Sequence, residues 1–206
     1  MSFFRTLKSR PWQSTPGQAA ELDLFTGQTF DREVEKIGLR IFCVVVSVLF
    51  LLFIISYRMR MLYPDWRPAP EPLLLWVNTG LLVLSSVASQ WAVSQARNGN
   101  LDKAKITFGL GGILAIAFVV GQLWCWQQFY ELGLFVSTNP AYGFFYMITA
   151  AHGIHILGGL AAWFRALWQM NSSTARDIVL SIELCTVYWH FLLVVWVILF
   201  YMLLST

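Results

Sequence analysis

Five long apolar segments dominate this sequence and restrict its fold more than any single motif does. The segments are Ile37–Tyr57, Leu73–Ala96, Ile106–Phe129, Tyr142–Trp168 and Ile178–Leu204. Each holds at least the roughly 20 residues that a helix needs to cross a bilayer. None shows the polar alternation of an outer-membrane barrel strand, so helix is the conformation that satisfies the backbone in lipid. The sequence predicts an all-α polytopic membrane protein with five transmembrane helices in a bundle.

The composition supports a membrane protein and separates a polar start from the rest. Hydrophobic residues make up 57% of the chain and charged residues 12%, whereas soluble domains average about 25% charged. The net charge of +3 is small, and we expect no nucleic-acid partner. Residues 1–36 are predicted to form a polar cytoplasmic segment, and residues 37–206 a single five-helix domain. Since residues 1–36 lack the apolar core of a cleavable signal, we expect the first span to remain uncleaved.

The distribution of basic residues predicts the orientation. Lysine and arginine concentrate in the N-terminal segment, the second connection and the fourth connection: Arg5, Lys8, Arg10, Arg32, Lys36, Arg97, Lys103, Lys105, Arg165 and Arg176. The opposite side has only Arg58, Arg60 and Arg67. Because basic residues are retained in the cytoplasm, this bias predicts the N-terminus inside and the C-terminus outside.

Polar residues inside the second and fifth spans are candidate packing residues. Asn78, Ser85 and Ser89 follow a helical spacing in the second span. Such a row allows close helix approach and interhelical hydrogen bonds. Glu183 and His190 are seven residues apart in the fifth span and share one face. Because ionisable groups are costly in hydrocarbon, we expect both to face the bundle interior, with Glu183 bonded to a histidine or another polar group.

The histidines raise the question of a metal site. His152 and His155 are three residues apart and share a helix face. Together with Glu183 and His190 they would make a chemically reasonable ligand set, although mutual satisfaction of polar groups is the simpler interpretation. Three histidines are too few for a haem–copper centre, and there is no CxxCH motif. We therefore expect no catalytic residue, metal or cofactor in this chain.

Two blocks near the C-terminus carry a resemblance to a known family. The blocks are His152-Gly153-Ile154-His155, preceded by Tyr142-Gly143-Phe144-Phe145, and Tyr188-Trp189-His190-Phe191, preceded by Glu183. A third block begins Trp76-Val77-Asn78-Thr79, and a weaker one is Gly121-Gln122. In this order, they resemble subunit III of the haem–copper respiratory oxidases, in its short five-helix form. The resemblance covers residues from about 37 to the C-terminus.

The resemblance implies a scaffold subunit. Such subunits flank the catalytic subunit I, contact other oxidase subunits, bind structural phospholipid and carry no haem or copper, which belong to the catalytic subunit. The complex reduces O2 and pumps protons in a bacterial or archaeal cytoplasmic membrane. Matching residues are structural or lipid-contact candidates: Asn78, His152, His155, Glu183, Tyr188, Trp189 and His190.

Two departures from the family pattern leave alternatives open. The family commonly has a membrane carboxylate near the position of Val46 or Ser47, and an aspartate at the position of Leu193. Both are absent, so a role of those acids in lipid contact or proton handling does not transfer to this chain. One alternative is a subunit-III-like accessory protein of a nitric oxide reductase or another respiratory complex. The other is an independent carrier or metal-binding membrane enzyme.

Overall fold

The computed structural model describes residues 16–67, 73–170 and 175–205, with side chains from residue 34 in the first helix and residue 177 in the last. These residues form five helices and no strand: α1 Pro16–Arg60, α2 Leu73–Arg97, α3 Leu101–Glu131, α4 Pro140–Gln169 and α5 Ala175–Leu204. Each contains a stretch long and apolar enough to cross a membrane. The predicted all-α fold with five such helices is confirmed.

The helix bounds exceed the predicted spans mainly at two N-termini. α3 begins at Leu101, so the polar turn before Ile106 is helical too. Asp102 favours this start, because a carboxylate in the first turn complements the helix dipole. α1 begins at Pro16, within the predicted polar segment. Hydropathy locates the part of a helix that can lie in lipid, and the same helix can extend beyond that part into water. Residues 1–15 lie outside the described residues, and the domain division after Lys36 stays a prediction.

The chain divides into two compact units, Met1–Phe42 and Cys43–Thr206. The described part of the first unit is helical throughout. In the second unit, α2 packs on α3 and α5, and α4 also packs on α3 and α5. These four helices therefore form a closed ring. From residue 43 onward, α1 contacts the α4 side through Phe50 and Tyr57, which are both buried.

Close contacts at small residues determine how the ring packs. The Ser85 hydroxyl on α2 donates to the Gly111 carbonyl on α3 at 2.7 Å. A Cβ at Gly111 would come within 2.8 Å of the Ser89 hydroxyl. The α2 and α3 backbones therefore approach closely where serine meets glycine. Asn78, Ser85 and Ser89, the row for which a helix-packing seam was predicted, are all buried.

The α1–α2 loop and the start of α4 are joined by specific contacts. The Asn139 side chain caps α4 by accepting from the Ala141 N–H, and its Nδ2 donates to the Arg67 carbonyl, both at 3.0 Å. Within the loop, Arg60 donates to Asp65 at 2.7 Å. The Arg60 guanidinium holds the pKa of the Asp65 carboxyl below its ordinary value, chiefly through this hydrogen bond. These contacts order the loop at one end of the bundle.

Gly112 tests the packing of α3 against α4. A Cβ there would overlap the indole of Trp163, which is buried and donates to the Phe108 carbonyl at 2.9 Å. We expect Gly112→Ala to lower the free energy of unfolding in detergent by about 1–3 kcal/mol, because the indole must move.

Gly109→Ala is the matched control, since a Cβ there meets nothing within 4 Å. It should keep stability or raise it by up to about 1 kcal/mol, because alanine favours the helix and its Cβ has room. Equal effects of the two substitutions on the thermal midpoint would contradict this account of the interface.

Candidate functional site

His152 lies at the centre of the bundle in an aromatic cage. Its side chain is fully buried. The imidazole centroid is 6.2 Å from that of Phe50, 6.0 Å from that of Phe118 and 5.1 Å from that of Trp196. No residue that the structure describes is hydrogen-bonded to either ring nitrogen. The cage brings together α1, α3, α4 and α5, so His152 is placed as a packing residue.

Two buried amides lie in the same core. Asn78 on α2 presses its Oδ1 against the backbone of Gly121 on α3, in the space that a Cβ would fill. Gln122 follows directly on α3 and is also buried. Among the described residues, neither amide has a hydrogen-bond partner. Glycine at position 121 is therefore what makes room for the Asn78 side chain.

The remaining α4 and α5 candidates form a second contact. His155 is half-buried, and its Nδ1 donates to the Ala151 carbonyl at 2.7 Å. The Tyr188 hydroxyl donates to the His155 backbone carbonyl at 3.0 Å. Tyr188 and Trp189 both pack against Gly159, where a Cβ would come within 2.9 Å of either ring. These aromatic residues connect α5 to α4.

A polar seam joins α2 to α5 along most of their length. The indole N–H of Trp196 donates to the Thr79 hydroxyl at 3.0 Å. The His190 Nδ1 contacts the Ser86 hydroxyl, and its Nε2 lies 3.0 Å from Oε1 of Gln90. Since that amide oxygen only accepts, Nε2 donates, and Nδ1 of the neutral ring accepts from serine. His190 thus has a partner at each nitrogen.

Glu183 ends this seam. Its carboxylate accepts from Nε of Arg97 at 2.8 Å, and the side chains are 29% and 65% exposed, respectively. The expectation of a polar partner agrees with this ion pair. Glu183 is partly buried at the contact between α2 and α5, beside Arg97, the last residue of α2. A seven-residue spacing predicts a shared face but not depth, and Arg97 holds the carboxylate at the helix end.

The structure does not assemble the suggested metal ligands. The described residues contain no group of three or more His, Cys, Asp or Glu side chains placed to hold a metal ion. His152 lies within the aromatic cage, whereas His190 and Glu183 bind α2 side chains.

A membrane-facing groove lies between α3 and α4. Its volume is about 210 Å³. The lining is almost wholly apolar and includes Phe118, Leu123, Ile154 and Leu157, with Gln122 and Thr149 as its polar members. Its lining therefore offers few hydrogen-bond partners to a polar ligand.

Several residues of the site were not predicted from the sequence. Ser86, Gln90 and Arg97 complete the seam, and Trp196 closes the cage. One signal was present: Gln90 and Arg97 are seven residues apart, as are Glu183 and His190. Two helices running in opposite directions pair such residues, but the sequence does not show which helices are neighbours.

These features define a multi-pass membrane protein with several polar side chains between its packed helices. A family model described as cytochrome c oxidase subunit III matches residues 28–205. The chain therefore belongs to the cytochrome c oxidase subunit III family, as its sequence blocks predicted. Members of this family are subunits of cytochrome c oxidase, a multi-subunit oxidoreductase.

Bacterial relatives show the same similarity. Cytochrome c oxidase subunit 3 of a Synechocystis species is 29% identical over 193 residues, covering 90% of this chain and 79% of the relative. Cytochrome c oxidase subunit 3 of Bacillus subtilis is 26% identical over 192 residues, covering 85% and 92%, respectively. A probable cytochrome c oxidase subunit 3 of Mycobacterium tuberculosis is 29% identical over 141 residues, covering 66% and 69%.

The aromatic cage gives a prediction for His152. We expect His152→Phe to keep or raise the stability of the folded chain by about 1–2 kcal/mol, since it removes two buried unsatisfied nitrogens. His152→Ala should lower stability by about 2–4 kcal/mol, because three rings lose a packing partner. Thermal unfolding in detergent measures both effects. If the phenylalanine variant is as unstable as the alanine variant, the imidazole nitrogens have partners and the packing role is wrong.

Proposed function

We propose that this chain is the non-catalytic subunit III of a haem–copper terminal oxidase. The family match over residues 28–205 carries the proposal. The assembled complex would reduce O2 and pump protons, with haem and copper in the partner subunit I. This chain would stabilise that catalytic subunit, contact the other oxidase subunits and bind phospholipid.

The surroundings of the histidines support a non-catalytic role. His152 is enclosed by aromatic rings, and His155 donates to its own helix. His190 bonds to α2 at both nitrogens. None of the three lines the α3–α4 groove. The donor set therefore does not fit a haem or a copper ion in this chain, and its side chains are engaged in holding helices together.

The proposed location is the bacterial cytoplasmic membrane. The relatives named above are bacterial, and basic residues favour the N-terminus and residues 1–36 on the cytoplasmic side. A reporter enzyme that is active only outside the cytoplasm tests this orientation. It should be active when fused after Thr206 and inactive when inserted in the α2–α3 turn at Asn98. Activity only at Asn98 would show the opposite orientation.

Purification with native partners tests the oxidase assignment. We expect a tagged chain extracted in mild detergent to retain a large subunit containing haem and copper, seen by visible spectrum and metal assay. A partner with haem and non-haem iron but no copper would instead identify a nitric oxide reductase accessory protein. A chain that purifies alone would contradict both assignments.

The Glu183–Arg97 pair separates a structural role from a chemical one. We expect Glu183→Ala to reduce the yield or working lifetime of the oxidase while its initial turnover per haem stays close to the original value. The reason is that the carboxylate holds α5 to α2 at the rim. An exposed pair contributes only about 0.2–1 kcal/mol, so the loss should be partial. Immediate loss of turnover in a fully assembled complex would show that Glu183 takes part in the chemistry.

The α3–α4 groove is the proposed lipid contact. We expect Gly153→Phe, which fills the groove, to lower the number of phospholipids retained per purified complex. Gly158→Phe is the control, because a Cβ there also meets nothing within 4 Å and Gly158 does not line the groove. Native mass spectrometry measures retained lipid. Equal retention in both variants would exclude this groove as the lipid site.

A further inference from the structure

One outward surface of the ring differs from the others in having polar groups at mid-span. This α2–α5 face consists of Val87, Gln90 and Arg97 on α2 with Val187, His190 and Val194 on α5. Gln90 is exposed and His190 half-buried. By contrast, the outward side of α3 around Ile113 and Val120 is apolar. Acyl chains can therefore cover the apolar α3 side without cost, whereas they leave the polar groups of the α2–α5 face without hydrogen-bond partners.

Gln90 lies well inside the hydrocarbon region. α2 has 25 residues, and Gln90 is five residues beyond its midpoint at Ser85, which is about 8 Å along the axis. The hydrocarbon core extends about 15 Å to either side of its centre. His190 is close to the midpoint of the spanning part of α5, Asp177–Leu204. Neither side chain has the length to reach water from such a depth.

The hydrogen bonds of Gln90 leave its donors unused. Its Oε1 accepts from Nε2 of His190 at 3.0 Å, so the amide nitrogen still carries two N–H groups. Among the residues that the structure describes, no acceptor for that nitrogen is found. Acyl chains offer no acceptor either. Leaving an amide N–H in hydrocarbon costs several kcal/mol, so a protein acceptor is expected opposite it.

We infer that a transmembrane helix of the haem–copper subunit I docks on the α2–α5 face. The docking helix presents a hydrogen-bond acceptor, a backbone or side-chain oxygen, to the Gln90 amide. Val87, Val187 and Val194 are exposed and surround the amide with apolar surface. The Arg97 side chain remains 65% exposed beyond its bond to Glu183 and attracts an acidic group of the same partner at the membrane boundary. This inference rests on the proposed function as an oxidase subunit.

Photocrosslinking from matched positions tests the face. Val87 and Val120 are 59% and 58% exposed, and Val120 lies on α3, outside the α2–α5 face. A benzophenone amino acid at position 87, irradiated in native membranes, should attach this chain to the haem–copper subunit. The same probe at position 120 should label lipid. An adduct between two copies of this chain, labelling of lipid alone from position 87, or equal subunit adducts from both positions would overturn the inference.

Bulky substitutions provide a second, independent measurement. We expect Val87→Trp to lower the amount of haem–copper subunit recovered with this chain about tenfold, as loss of a central interface contact does. Val120→Trp should leave that recovery unchanged. Unchanged recovery in both variants would contradict docking at this face. Failure of the oxidase assignment is distinct, because the unsubstituted chain would then purify without any haem–copper subunit.

Discussion

The structure depends on one constraint: a polar group in hydrocarbon needs a protein partner. Along α2 and α5 this constraint is met by successive contacts, from Thr79 with Trp196, through Ser86 and Gln90 with His190, to Arg97 with Glu183. Each contact alone is modest, since hydrogen bonds between membrane helices average below about 1 kcal/mol. Together they set the register and direction of two helices, against which α3 and α4 complete the ring.

The other interfaces use shape instead of polarity. Glycines on α3 and α4 leave room for large or polar side chains from neighbouring helices: Gly112 for Trp163, Gly121 for Asn78, and Gly159 for Trp189. Lipid tails are as apolar as leucine, so apolar area gives little preference for protein over lipid. Complementary packing supplies that preference. These aromatic and glycine residues thereby have a packing reason that requires no cofactor.

The sequence predicted the helices and the row of small polar residues on α2 well, because apolar length and small-residue spacing are local properties. It did not predict the contacts that depend on which helices are neighbours. The sequence does not identify Arg97 as the partner of Glu183, because periodicity reports a face but neither depth nor neighbour. The roles of Gln90 and Arg97 became apparent only once α2 and α5 were seen side by side. The cage around His152 likewise needs four helices at one level, which no local pattern encodes.

The length of the α2–α5 seam has a consequence for how such chains diverge. Its contacts extend from Thr79 to Arg97 on one helix and from Glu183 to Trp196 on the other. Inserting or deleting one residue in either stretch would rotate everything beyond it by about 100°, turning each later polar partner toward lipid. Related sequences can therefore carry substitutions within the seam, but insertions and deletions should be confined to the connections between helices.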